Sequence, residues 1–194
     1  MAVVSITESF LAPGLAVRDG AASMTNQPEL WPPPTATSPF TIVSGGQTGV
    51  DRAALDAALA ANSPCGGWCP DGRKAEDGVI PARYPLVELA GAGYLARTRR
   101  NVEDSDATLV VAFGTPAGGT ARTVEFCRRL GKACLLIDAA VATPEESARR
   151  AREFVKGRGI ARLNVAGPRA SGQAAGYAYA FELVTRLLSG LSAS

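Results

Sequence analysis

An α/β domain built on a mostly parallel, five-stranded sheet with helices on both faces is the fold class that the sequence predicts, on three observations. From Thr41 onward short apolar runs alternate with helix-period patterns, the signature of successive βα units. One run, residues 109–113, is apolar throughout, as a central strand buried on both faces must be. The 194 residues, 46% of them hydrophobic, can bury one substantial core but hardly two, so a single domain is expected.

Residues 1–39 stand apart from this pattern. They carry six of the thirteen prolines, including Pro32, Pro33 and Pro34, and show no sustained period of 2 or 3.6. They read as a disordered, Pro-rich extension preceding a domain over residues 40–192. Within the domain, strands are expected at 41–44, 86–89, 108–113, 133–137 and 162–165. Helices are expected at 51–62, 94–104, 119–131, 144–157 and 174–189. The last is the clearest, because Ala180, Leu183, Val184, Leu187 and Leu188 form one apolar stripe. The helix near 144 has a full start signal: Thr143 as N-cap, Pro144 at the first helical position and Glu146 to complete a capping box.

Composition excludes several function classes. The net charge is +2, and residues 1–39 hold one basic residue (Arg18) and three acidic ones (Glu8, Asp19, Glu29), which leaves 19 basic and 15 acidic residues after them. That excess is too small and too dispersed to hold nucleic acid or an anionic membrane by bulk electrostatics. No apolar run approaches the about 18 to 20 residues of a membrane span, and the N-terminus lacks a secretory pattern, so a cytoplasmic protein is expected. There is no histidine. The four cysteines, Cys65, Cys69, Cys127 and Cys134, read as small buried hydrophobes in a reducing compartment, with no metal site expected.

In a parallel sheet the loops leaving the C-terminal ends of the strands share one edge, and ligands bind there. Three of those loops are rich in glycine. The first, "GGQTG", comprises Gly45, Gly46, Gln47, Thr48 and Gly49; the second, "GTPAGGTART", includes Gly114, Thr115, Gly118, Gly119 and Thr120; the third is "AGPRASG", 166–172. Glycine lets backbone amides approach an anion, and a helix N-terminus adds unpaired donors and a favourable dipole. Each loop alone reads equally well as a tight strand-to-helix turn, and Thr48 with Asp51 equally as a helix cap. Together they describe a phosphate cradle. The spacing matches neither a dinucleotide fingerprint nor a Walker A loop, which lacks its lysine here.

The strings "SGGQTGVDRAALDAAL", "GGWCPDGRKAEDGVIPARYPL", "GYLARTRRNVEDSDATLVV", "GGTARTVEFCRRLGK" and "LNVAGPRASG" resemble the molybdenum carrier family. This is a circularly permuted, YpsA-like branch of the SLOG superfamily, whose relatives include the LOG phosphoribohydrolases. The resemblance covers residues 41–188. It implies a Rossmann-like domain that binds a nucleotide-like or pterin-phosphate ligand, with molybdenum cofactor (molybdopterin) as the proposed cargo. It further implies a homo-oligomer, and molybdoenzymes or cofactor-synthesis proteins as partners. The family's glycine and threonine positions fall on Gly45, Gly46, Thr48, Gly49, Gly118, Gly119 and Thr120. The LOG signature is only partly present, because in "PAGGTARTVE" the glutamate is displaced.

Residues 66–81, dense in Gly, Pro, Asp and basic residues, read as an irregular connection. It serves either as a plain surface segment or as a cover over the ligand, with Trp68 stacking on a ring, Arg73 reaching a phosphate and Asp77 accepting from ring N–H groups. On the helix that follows, Arg97 and Asn101 are four apart and share a side facing the site. Catalysis would need a positioned acid or base, and the carboxylates Asp51, Asp77 and Glu125 each have an ordinary structural use. A binding and transfer or storage protein for a small phosphorylated ligand is therefore favoured. A LOG-like nucleotide-processing hydrolase and a nucleotide-sensing module are the alternatives.

Overall fold

The computed structural model describes residues 39–192. The expected N-terminal extension lies, except for Pro39, outside the described residues.

Fourteen elements follow one another. β1 (Thr41–Val43) leads into α1 (Val50–Ala60) and β2 (Cys65–Pro70). A 3₁₀ turn (Asp71–Arg73) and a short antiparallel hairpin, β3 (Lys74–Ala75) with β4 (Gly78–Val79), precede β5 (Leu86–Leu89). Then come α2 (Tyr94–Glu103), β6 (Ala107–Ala112), α3 (Gly118–Arg129), β7 (Ala133–Asp138), α4 (Pro144–Arg158), β8 (Arg162–Ala166) and α5 (Gly176–Ser192). The main sheet has six strands in the order β5-β2-β1-β8-β6-β7, and every pairing in it is parallel.

The sixth strand corrects the expected five. β2, "CGGWCP", carries two glycines and a proline and reads as a connection, yet it lies between β1 and β5 and is buried along most of its length. Its glycines are required by close approach. Gly67 has φ +135°, and a Cβ there would lie 2.2 Å from the Ser44 carbonyl oxygen.

Alternation along β6 divides the two faces of the sheet. Ala107, Leu109 and Val111 join a core with α1, α4 and α5, including the stripe Ala180, Leu183, Val184, Leu187 and Leu188. On the opposite face lie α2 and α3, which pack on each other; there Thr108 accepts from Asn164 Nδ2 at 3.2 Å. The alanine-rich α1 is consumed by this core: Ala53, Ala54, Ala57 and Ala58 are all buried, and its main neighbour is α5. The capping box expected at the start of α4 is present, the Thr143 hydroxyl accepting from the Glu146 amide.

The strand order reverses beside β1. From β1 the chain steps outward through β2 to β5, then crosses to β6 and β7 and returns through β8 to the centre. The loops after β1, β6 and β8 are thereby gathered at one edge, the place where open parallel sheets bind ligands.

Candidate functional site

A cavity of about 640 Å³ opens at that edge, within the range of small-molecule sites. All three glycine-rich loops contribute to its wall, as does the first turn of α2. Of the residues singled out in the sequence, Gln47, Asp51, Arg97, Thr115, Gly118, Gly119 and Thr120 line it.

The second loop presents the most open backbone. Gly118, Gly119 and Thr120 form the first turn of α3, whose N-cap, Ala117, offers no side-chain bond. The first amide to enter the helical ladder here is that of Ala121, donating to the Ala117 carbonyl, so the three preceding N–H groups make no hydrogen bond to the described residues. A Cβ placed on Gly118 or Gly119 would meet nothing within 4 Å. Gly114, by contrast, has a committed amide: it donates to Asp138 Oδ1 at 2.8 Å, with φ +78°. That bond, followed by one from the Ala140 amide, holds the Asp138 carboxyl below the usual carboxylate range.

The first loop is packed against protein rather than open. A Cβ on Gly45 would lie 1.6 Å from Arg97 Nη1, and one on Gly46 would lie 2.4 Å from Leu86. Thr48 is not the cap of α1; the N-cap is Gly49. The Thr48 hydroxyl instead accepts from the Ala170 amide at 3.1 Å and donates to the Glu76 carboxylate. Gln47 Oε1 accepts from the amides of Thr48 and Glu76, each at 3.0 Å. Its Nε2 is buried and without a partner. The first loop thus ties the β3–β4 turn to the loop after β8.

Four other candidates hold the protein together away from the cavity. Trp68 lies in β2, 8% exposed, its indole N–H donating to Asp104 at 2.7 Å and its face covered by Arg100. Asn101 bonds the Trp68 backbone twice, accepting from its N–H at 2.8 Å and donating to its carbonyl at 3.0 Å. Arg73 spends its guanidinium on the carbonyls of Ile80, Leu86, Pro81 and Tyr84. Asp77 takes a two-point ion pair from Arg52, Nη2 to Oδ1 at 2.8 Å. These side chains are buried or spoken for, which is why a ligand-covering role for this segment finds no free group in them.

Three arginines, Arg97, Arg122 and Arg169, line the cavity together with Asp51, and Arg122 and Arg169 are paired with Glu125 and Glu76 behind the wall. Asp51 is paired with Arg97, and burial pushes its carboxyl up against the pull of that guanidinium. Sequence reasoning missed Tyr94, Leu95, Arg122, Arg169 and Gln173, all of which line the cavity. Tyr94 and Leu95 carried a signal: large apolar residues in the first turn of a polar helix, here 41% and 58% exposed. Among the described residues no group of three or more His, Cys, Asp or Glu is placed to hold a metal ion. No helix among them is long and apolar enough to cross a membrane.

Fold and site together define a parallel α/β protein with a ligand-sized cavity, open to the start of a helix, at the point where its strand order reverses. The chain belongs to the circularly permutated YpsA SLOG family, whose profile matches residues 42–188. It is similar to a crystal structure from Syntrophus aciditrophicus described as "Putative molybdenum carrier protein", at 41% identity and a TM-score of 0.75, over 78% of this chain and 96% of that one. Among curated proteins none matches the sequence.

Proposed function

We propose that the protein binds molybdenum cofactor, a phosphorylated molybdopterin, in this cavity and protects it for storage or transfer. The observation that carries the reading is the start of α3, where three unpartnered amides and two glycines open to the cavity. A helix N-terminus carries roughly half a positive charge and is a ready site for a phosphate. Arg122 and Arg169 in the same wall supply further donors that an anion could share with their carboxylate partners. Molecules of this cofactor's size suit the volume, and the similarity to a protein described as a molybdenum carrier supports the cargo.

Carrying needs binding and shielding, not a reacting group. The one acidic side chain lining the cavity among the described residues is Asp51, and it is committed to Arg97; this supports a binding protein over a LOG-like hydrolase. The reading places the protein in the cytoplasm as a homo-oligomer that exchanges cofactor with molybdoenzymes or cofactor-synthesis proteins. Light scattering at micromolar concentration tests the oligomer, a strict 20.0 kDa monomer counting against it.

The decisive experiment titrates wild type and Gly119→Val with molybdenum cofactor, its phosphorylated pterin precursor and AMP. Tight binding of the phosphorylated pterins, lost in the variant while its melting temperature is kept, supports the reading. Preference for a dephosphorylated pterin overturns it, and release of free base from AMP moves the protein to the hydrolase class.

A further inference from the structure

We infer that Tyr94 and Arg169 form a clamp for the flat heteroaromatic ring of the ligand, an inference that rests on the phosphate-binding reading above. Both residues line the cavity that the start of α3 opens into. Tyr94 is the first residue of α2 and is 41% exposed. Arg169 reaches it from the loop after β8, its guanidinium carbon 6.0 Å from the tyrosine ring centroid. The arginine is held from the other side by Glu76, Nη1 to Oε2 at 3.8 Å. That carboxylate is itself fixed by the Ser171 amide at 3.1 Å and by the Ser171 and Thr48 hydroxyls.

The spacing is about 1 Å short of what a flat guest needs. A ring stacked between two plates needs about 3.5 Å from each, about 7 Å in all. The clamp stands at 6.0 Å, so admission requires an opening of about 1 Å, which rotation of a half-exposed arginine supplies. Arg169 is suited to the second plate because a guanidinium is planar, stacks on aromatic faces and favours an electron-rich ring. Trp68 cannot replace Tyr94, since its indole is buried, bonded to Asp104 and covered by Arg100. The ligand class is a phosphate-bearing molecule with a flat heteroaromatic ring, pterin or purine.

Calorimetric titration of the full chain, as wild type, Tyr94→Ala and Tyr94→Phe, tests the clamp with three probes: a pterin carrying a phosphate, AMP and inorganic phosphate. Tyr94→Ala is expected to weaken the preferred ring-bearing probe about tenfold, while Tyr94→Phe holds within about twofold. Inorganic phosphate is expected to bind all three proteins equally. Which ring-bearing probe binds tighter to wild type decides between pterin and purine. Unchanged affinity in Tyr94→Ala overturns the clamp. So does an equal loss in Tyr94→Phe, or an equal loss for inorganic phosphate. Failure of wild type to bind any of the three overturns the phosphate reading itself, and the clamp with it.

Discussion

Arg97 and Asp51 form a buried ion pair, Nη1 to Oδ2 at 3.1 Å, with side chains 10% and 6% exposed. It joins the first turn of α1 to α2, and Gly45 makes it possible by leaving the guanidinium the space that a Cβ would fill. Removing one charge leaves the other largely buried without its partner. Arg97→Met, which leaves the buried Asp51 carboxylate uncompensated, is therefore expected to cost about 3–5 kcal/mol of stability. Adding Asp51→Asn to that variant should restore much of the loss. A urea-denaturation double-mutant cycle checks this; purely additive losses would mean that the pair does not act as a unit.

Gly49 is a second position where the first loop depends on glycine. Its φ of +76° and ψ of −128° are backbone angles that L residues rarely adopt, and a Cβ would lie 2.5 Å from the Pro168 carbonyl oxygen. Gly49→Ala should lose more than about 2 kcal/mol, strain and collision together. Gly119→Ala, in open space in the first turn of a helix, should change stability by less than about 1 kcal/mol. The two midpoints in urea, measured side by side, separate packing glycines from an open one.

These glycines explain how much was legible in the sequence. Alternating apolar runs located five strands and all five helices, because burial imposes periods of 2 and 3.6 on any side chain that faces a core. β2 escaped because its close contact with β1 needs glycine at Gly67, which erases the apolar signal that marks a strand. The three glycine loops were legible as a group at one sheet edge, but their division of labour was not. Whether a glycine faces a ligand or another backbone depends on partners remote in sequence, such as Leu86 for Gly46 and Pro168 for Gly49. Arg73 and Trp68 offered chemistry in the sequence that the fold spends on carbonyls and on Asp104.

Glu76 makes stability depend on pH in a definite direction. Burial works to raise its carboxyl, but hydrogen bonds from the Ser171 and Thr48 hydroxyls and the Ser171 amide, with Arg169 nearby, outweigh it and hold it below its ordinary 4.5. The folded state thus favours the ionised form. Its contribution is present above 4.5 and is lost as pH falls through the lowered value. Asp51 has the opposite sign: burial raises it, so its contribution is fullest below its ordinary 3.8 and is lost as pH rises through the raised value. Glu76→Gln should therefore be less stable than wild type at neutral pH and lose less on acidification. Denaturation midpoints from pH 3 to 7 check this; parallel curves for the two proteins would contradict it.

Asp138 positions the second loop without lining the cavity. From the C-terminal end of β7 its Oδ1 accepts from the amides of Gly114 at 2.8 Å and Ala140 at 3.0 Å. The first of these fixes the chain where it leaves β6, four residues before α3 begins. Bonds to a carboxylate are roughly twice as strong as neutral ones, so Asp138→Ala should release the turn at a cost in stability. Part of that cost should appear as weaker ligand binding, since a mobile loop must be ordered again whenever the start of α3 takes up a phosphate. Asp138→Asn keeps an oxygen acceptor in place and should recover most of the affinity. Titration of both variants with a pterin carrying a phosphate, alongside amide hydrogen exchange at Gly114, reads the two effects together. Faster exchange with unchanged affinity would show that the order of this loop does not serve the site.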